Sequence, residues 1–154
     1  MYHHLYGINC TGLRFFTVYG PWGRPDMAAY IFTGKMYKGE KIPVFNFGRM
    51  KRDFTYVTDI VAGVLAALDK AYPCEVFNLG NNHTVELRYF IKCIENELGI
   101  KAKKKMMPIQ PGDVPITYAN IDKAKKMLGY NPKVKIDEGI KKFIAWFKEY
   151  YKIK

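Results

Sequence analysis

Gly20-Pro-Trp-Gly-Arg24 sets a guanidinium on a Gly/Pro loop directly after the apolar run Leu13 to Val18. Open α/β sheets bind ligands beyond the carboxyl ends of their strands. An arginine there can hold a carboxylate or a phosphate through two parallel hydrogen bonds, with the Thr17 hydroxyl as a neutral donor nearby. A solvated loop arginine has the same local signature, so this segment alone leaves both readings open. A second basic group, Arg49, Lys51 and Arg52, precedes Asp53-Phe-Thr-Tyr-Val57. Strand alternation lets two of the three aim at a diphosphate while the third meets water; a charge-protected edge strand is the competing reading. Gln110-Pro-Gly-Asp113 forms a tight turn in which Asp113 can accept from ribose hydroxyls or simply cap the turn.

Other chemistries find little support. His3 and His4 are adjacent and His83 is distant, a spacing that builds no histidine metal site. Cys10, Cys74 and Cys93 fit neither a disulfide framework nor a Cys-x-x-Cys site, and are read as reduced, mostly buried thiols. The formal charge of +11 is concentrated in Lys101 to Lys105, Lys123 to Lys126 and the C-terminal segment, where lysines alternate with apolar positions. That pattern describes solvated helix faces, and no nucleic-acid module signature accompanies it. No apolar stretch approaches the roughly 18 residues of a membrane span, and the first residues lack the form of a signal peptide, so the expected partners exclude nucleic acid and membrane and the expected location is the cytoplasm.

The elements that must position these residues alternate between strand and helix, the pattern of an α/β fold. Residues 1 to 6 read as the end of a helix stopped by Gly7. Leu13 to Val18 reads as a strand covered on both faces of a parallel sheet. A helix near Met27 to Lys38, a strand at Ile42 to Phe45, a Gly48 turn and an extended Arg52 to Tyr56 follow. The next helix begins after Thr58, with Ile60, Val61, Val64, Leu65 and Leu68 on one face. Glu75 to Leu79 is a short buried strand ending in the turn Gly80-Asn-Asn82. Val85 to Leu98 is amphipathic, with Thr84 as N-cap and Gly99 as stop, and Ile136 to about Tyr151 forms the last helix.

Several segments sharpen the reading. Gly12-Leu-Arg-Phe-Phe-Thr-Val-Tyr-Gly-Pro-Trp-Gly-Arg-Pro-Asp-Met27, Val44-Phe-Asn-Phe-Gly48, Lys51-Arg-Asp-Phe-Thr-Tyr-Val-Thr-Asp59, Phe77-Asn-Leu-Gly-Asn81 and Gln110-Pro-Gly-Asp-Val-Pro115 resemble, in order, the C-terminal half of UDP-glucuronate 4-epimerases. These are extended short-chain dehydrogenase/reductases of the NAD-dependent epimerase/dehydratase type. The resemblance implies the last strands of a doubly wound Rossmann-like sheet plus a small α/β substrate-binding region. It also implies that Phe16 and Thr17 line the nicotinamide and sugar end of the site and that Arg24 faces the sugar carboxylate. Val44 and Phe45 would border the uracil, Arg52 would bind the diphosphate and Asp113 the uridine ribose. Arg14, Asp53, Asp59 and Asn78 match family positions with structural jobs, and the intact enzyme is expected to be a homodimer using NAD.

The family's Tyr-x-x-x-Lys acid/base pair and glycine-rich phosphate loop are expected upstream of Met1. Tyr37-x-x-x-Lys41 and Tyr150-x-x-x-Lys154 match the spacing by chance. The chain alone is therefore expected to contribute the UDP-sugar grip, to lack turnover and not to hold NAD. UDP-glucuronate decarboxylase, or another sugar-nucleotide dehydratase, is the rival enzyme. A non-catalytic UDP-sugar-binding module is the rival from outside catalysis.

Overall fold

The computed structural model describes residues 1–153, and among them strands and helices alternate in an α/β arrangement. In chain order the elements are α1 (Tyr2–Tyr6), β1 (Cys10–Phe15), β2 (Thr17–Tyr19), α2 (Ala28–Tyr37), β3 (Lys41–Val44), a tight turn (Phe45–Gly48), β4 (Lys51–Arg52), β5 (Phe54–Tyr56) and α3 (Val57–Lys70). Then come β6 (Cys74–Leu79), β7 (Val85–Glu86), α4 (Leu87–Leu98), β8 (Lys103–Met106), α5 (Asp122–Leu128) and α6 (Ile136–Tyr150). Three strand pairs are parallel, β1 with β6, β2 with β5 and β3 with β8; β4 and β7 run antiparallel. Gly7 ends α1 in the left-handed region, as its position demands.

The expected single strand Leu13 to Val18 is two strands. At Phe16 the chain changes partner: the Phe16 amide donates to Leu79 of β6, and the next amide, Thr17, donates to the Asp53 carbonyl ahead of β5. The expectation of two covered faces also fails. The face carrying Leu13, Phe77 and Leu79 packs with α3 and α5, whereas Gly12 and Val76 share an open face on which Val76 is 49% exposed.

Two apolar cores result. One gathers α2, β3, β5, α4 and α6 around Phe32, Ile42, Phe90, Ile94 and Phe143. Its tightest approach is between α6 and β2, where Gly139 lies so close to the Tyr19 ring that a side chain there would overlap the phenol oxygen. The second core packs α3, α5 and β6 around Ile60, Phe77, Leu79 and Leu128.

Helix α3 does not bury the stripe its periodicity predicts. Asp59, Ile60, Gly63 and Ala67 face inward, while Val61, Leu65 and Leu68 are exposed. Gly63 decides this, because its missing side chain admits the Leu79 and Tyr130 side chains against the helix backbone. Thr84 is not the cap of α4 either: Val85 and Glu86 pair with β4, the Leu87 amide donates to Met50, and the helix begins only there. Of the three thiols, Cys93 is buried, Cys10 half-buried and Cys74 exposed, so the expectation of mostly buried thiols holds for Cys93 alone. Lys154, half of one chance Tyr-x-x-x-Lys match, lies outside the described residues.

Asp53 joins the two cores. Wholly buried between β4 and β5, its carboxylate accepts from the Asn81 amide (2.6 Å), the Ala119 amide (3.0 Å) and the Thr55 hydroxyl (3.2 Å). Asp59 does the same for the segment before α6, accepting from the Lys133 and Val134 amides. Asn78 donates to the Asn120 carbonyl, and Arg14 is exposed.

Replacing Asp53 by Ala strands two amides in an apolar environment and is expected to cost on the order of 3 kcal/mol, read as a lowered midpoint in urea unfolding. A loss below roughly 1 kcal/mol would mean that water or a rearranged loop satisfies both donors. The uncovered Phe15, Val61, Leu65, Leu68 and Val76 predict self-association of this chain. Light scattering should detect oligomers, and a strictly monomeric species at high concentration would count against that reading.

Candidate functional site

Four of the residues singled out in the sequence, Thr17, Phe45, Arg52 and Asp113, line one cavity of about 310 Å³, together with Asp26, Met27, Met50, Phe54 and Leu87. The fold brings them together through β4. The Lys51 amide donates to the Pro115 carbonyl and the Thr117 amide to the Lys51 carbonyl, so the loop carrying Asp113 is zipped alongside Arg52. The Arg52 guanidinium donates to the Asp113 carboxylate at 2.7 Å and to the Lys51 carbonyl at 2.9 Å. Its side chain is only 18% exposed, which leaves the fork aimed along the cavity wall instead of into bulk water.

The rest of the basic run is otherwise employed. Lys51 pairs with Glu86 across β4 and β7, and Arg49 stands over the Phe47 ring. Only one of the three cations faces the cavity, where strand alternation suggested two. The Asp113 carboxylate also accepts from the Val114 amide, so it caps its turn while pairing with Arg52.

Phe45 opens the turn that walls the cavity. Asn46 and Phe47 both sit in the left-handed region, at φ 46° and 52°, where side-chain-bearing residues are strained. Arg88 on α4 holds the turn there by donating twice to the Phe47 carbonyl, at 2.7 and 3.2 Å, and the Phe47 amide donates to Met107. Val44 is completely buried, so it backs the cavity from the core without reaching it. Beneath lies Phe54, stacked on Phe90 at 4.2 Å.

Phe16 and Arg24 line a second cavity, of about 460 Å³, at the Gly20 loop, and Arg24 and Thr17 together line a small pocket beside it. Gly20 has φ 144° and lies against Val57, a position closed to any side chain. Trp22, at φ 60°, packs its ring on Trp146 and Tyr150 of α6 and so fastens the loop to the first core. The Arg24 guanidinium donates both to Asp26 Oδ1 (3.1 Å) and to Oδ2 (2.6 Å), an arrangement that holds the Asp26 carboxyl below the usual carboxylate range. Arg24 thus reaches the first cavity through Asp26, which lines it.

Asp26 and Arg88 carried no separate signal in the sequence: Asp26 appeared only within the Gly12–Met27 segment, and the bond from Arg88 to the Phe47 carbonyl spans 41 residues. Tyr37 belongs to a different cavity, beside Tyr30 and Tyr151. A larger groove, of about 700 Å³ between Asn81–Glu86 and Pro132–Asp137, holds none of the residues assigned to the UDP-sugar. Size does not decide between them; the smaller cavity joins an apolar floor to a half-buried guanidinium, which suits an aromatic anion. Among the described residues no three His, Cys, Asp or Glu side chains come together as a metal site.

The two residues that the resemblance assigns to the nicotinamide end of NAD are adjacent in the chain: Phe16 lines the second cavity with Phe15 and Pro21, and Thr17 lines the first.

Comparisons with known proteins identify the family. Residues 1–80 match the model of the NAD dependent epimerase/dehydratase family. An uncharacterized protein of Methanocaldococcus jannaschii is 56% identical over 97% of this chain and 46% of its own length. UDP-glucuronate 4-epimerase 4 of Arabidopsis thaliana is 47% identical over 97% of this chain and 38% of its own length. The crystal structure of UDP-glucuronic acid 4-epimerase from Bacillus cereus in complex with UDP-glucuronic acid and NAD superposes with a TM-score of 0.90 at 35% identity, covering 97% of this chain and 48% of that one. The chain therefore spans about half the length of the curated relatives it matches. With the family model matched over more than half of its residues and a Rossmann-type neighbour superposing on nearly all of them, the chain belongs to the NAD dependent epimerase/dehydratase family.

Proposed function

We propose that this chain forms the UDP-sugar-binding part of a nucleotide-sugar epimerase that interconverts UDP-glucuronate and UDP-galacturonate through a 4-keto intermediate. The observation that carries this reading is the convergence of Thr17, Phe45, Arg52 and Asp113 on one cavity, with the Arg24 loop at its rim. Phe45 and the apolar floor take the uracil face, Arg52 donates to the diphosphate and Asp113 accepts from the ribose. The short Arg52–Asp113 pair presets both groups, so little side-chain freedom is lost on binding.

Bound NAD supplies the acceptance of hydride from sugar C4 and its return to the opposite face. The chain's own task is to hold the sugar while that occurs. A C4 ketone beside a C5 carboxylate is a β-keto acid, which loses CO₂ when the bond to the carboxylate aligns with the carbonyl π system. An arginine fork with Thr17 as a second donor fixes the carboxylate plane, which protects the intermediate and selects the acidic sugar. Phe16 walls the nicotinamide end. Tyr37, half of one chance Tyr-x-x-x-Lys match, lies at a separate cavity.

Calorimetry with UDP tests the grip. Arg52→Ala should weaken UDP binding by about 1.5–3 kcal/mol, the worth of a charged hydrogen bond, and an unchanged affinity would move the diphosphate elsewhere. Chromatography tests the reaction, with the chain joined to a dinucleotide-binding half. There Arg24→Lys should keep UDP binding, lose preference for glucuronate and release a 4-keto pentose, because an ammonium supplies charge without fixing a plane. Normal epimerisation with no pentose would remove the carboxylate from Arg24.

A further inference from the structure

One edge of the Arg24 guanidinium is already filled. Its Nε and Nη2 donate to Asp26, at 3.1 and 2.6 Å, in a two-point geometry that a bound carboxylate can also adopt, while Nη1 makes no bond to Asp26. Asp26 is also a wall of the cavity that contains Thr17, Arg52 and Asp113. We infer that Asp26 is a specificity-determining residue, an internal carboxylate that competes with the sugar carboxylate for Arg24. The inference rests on the assignment of Arg24 to the sugar carboxylate.

The argument is one of competing equilibria. An acidic sugar that takes the Nε–Nη2 edge must displace Asp26, so its apparent affinity falls by the fraction of time that edge is unpaired, whereas one gripped end-on through Nη1 would leave the Asp26→Asn ratio unchanged. The two residues are separated only by Pro25 on one short loop, so the internal carboxylate is present at high effective concentration. The pair is largely open to solvent, with side chains 75% and 61% exposed, which keeps its strength modest and the exchange feasible. A neutral sugar leaves the pair intact, so no unmatched guanidinium is covered when it binds. Asp26 therefore acts on both sides of the discrimination, weakening the acidic sugar and sparing the neutral one the penalty of an unpaired charge.

General repulsion of anions by Asp26 would act on the diphosphate of every UDP-sugar alike, and so is separable from competition for the fork. The test is the ratio of affinities for UDP-glucuronate and UDP-glucose, measured by calorimetry on this chain, on Asp26→Asn, on Arg24→Ala and on the double variant. Asp26→Asn should raise the preference for UDP-glucuronate by about three- to tenfold, and should leave the ratio unchanged once Arg24 is already Ala. An equal gain for both sugars, or an unchanged ratio in the single variant, overturns the competition while leaving Arg24's role intact. If Arg24→Ala itself leaves the starting ratio unaltered, the assignment of Arg24 to the carboxylate fails, and the competition fails with it. That second result is distinct because it appears without any change at Asp26.

Discussion

A carboxylate shut away from water must collect its hydrogen bonds from whatever surrounds it, and at Asp53 the surroundings are the ends of three different segments. Its backbone separates β4 from β5, so it belongs to the first core. Its oxygens belong to the second, gripping the turn after β6 through Asn81 and the strand-like approach to α5 through Ala119. Gly80 is forced by the same arrangement, since a side chain there would collide with Ala119 and crowd the carboxylate. The cavity depends on this junction because Arg52 immediately precedes Asp53, and the Thr17 amide donates to the Asp53 carbonyl.

What the junction supplies is registration. Thr17, Arg52 and Asp113 come from three separate segments, yet two of them hydrogen-bond to residue 53 or adjoin it, and the third is drawn in by the ladder between Lys51 and Pro115–Thr117. The turn at Phe45 is held independently, by Arg88 from α4 and by Met107 after β8. Strained backbone at Asn46 and Phe47 persists because these outside contacts over-determine it.

The elements with strong periodicity were legible beforehand. Phe90, Ile91, Ile94 and Leu98 in α4, and Ile140, Phe143, Ile144 and Phe147 in α6, are buried as their spacing requires. The failures share a cause. Leu13 to Val18 is near-continuously apolar, β-branched or aromatic, but where a strand changes neighbours is set by partners far along the chain, here Leu79 and Asp53. In α3 the helix face is chosen by Gly63, and a hydrophobicity pattern is blind to a close approach made possible by an absent side chain. The loop and basic residues were found by type and by family resemblance. Their pairings were not, because Arg52 with Asp113 and Arg88 with Phe47 are long-range contacts, and Asp26 had no meaning until its geometry against Arg24 was known.

Strand β8 is three lysines and a methionine, all exposed, locked in parallel register to β3 with Lys105 opposite Pro43 and Met106 opposite Val44. This places a rigid row of positive charge beside the turn that walls the cavity, and Lys104 is the member that pairs inward, with Glu95. A fixed field of that kind acts before contact. For an anionic ligand of the kind proposed, such a field raises the encounter rate, while dissociation depends on short-range contacts such as the one proposed for Arg52. Screening by salt shortens the reach of the field to about 8 Å at physiological ionic strength. For such a ligand the lysine row makes capture sensitive to ionic strength and leaves residence time comparatively indifferent to it.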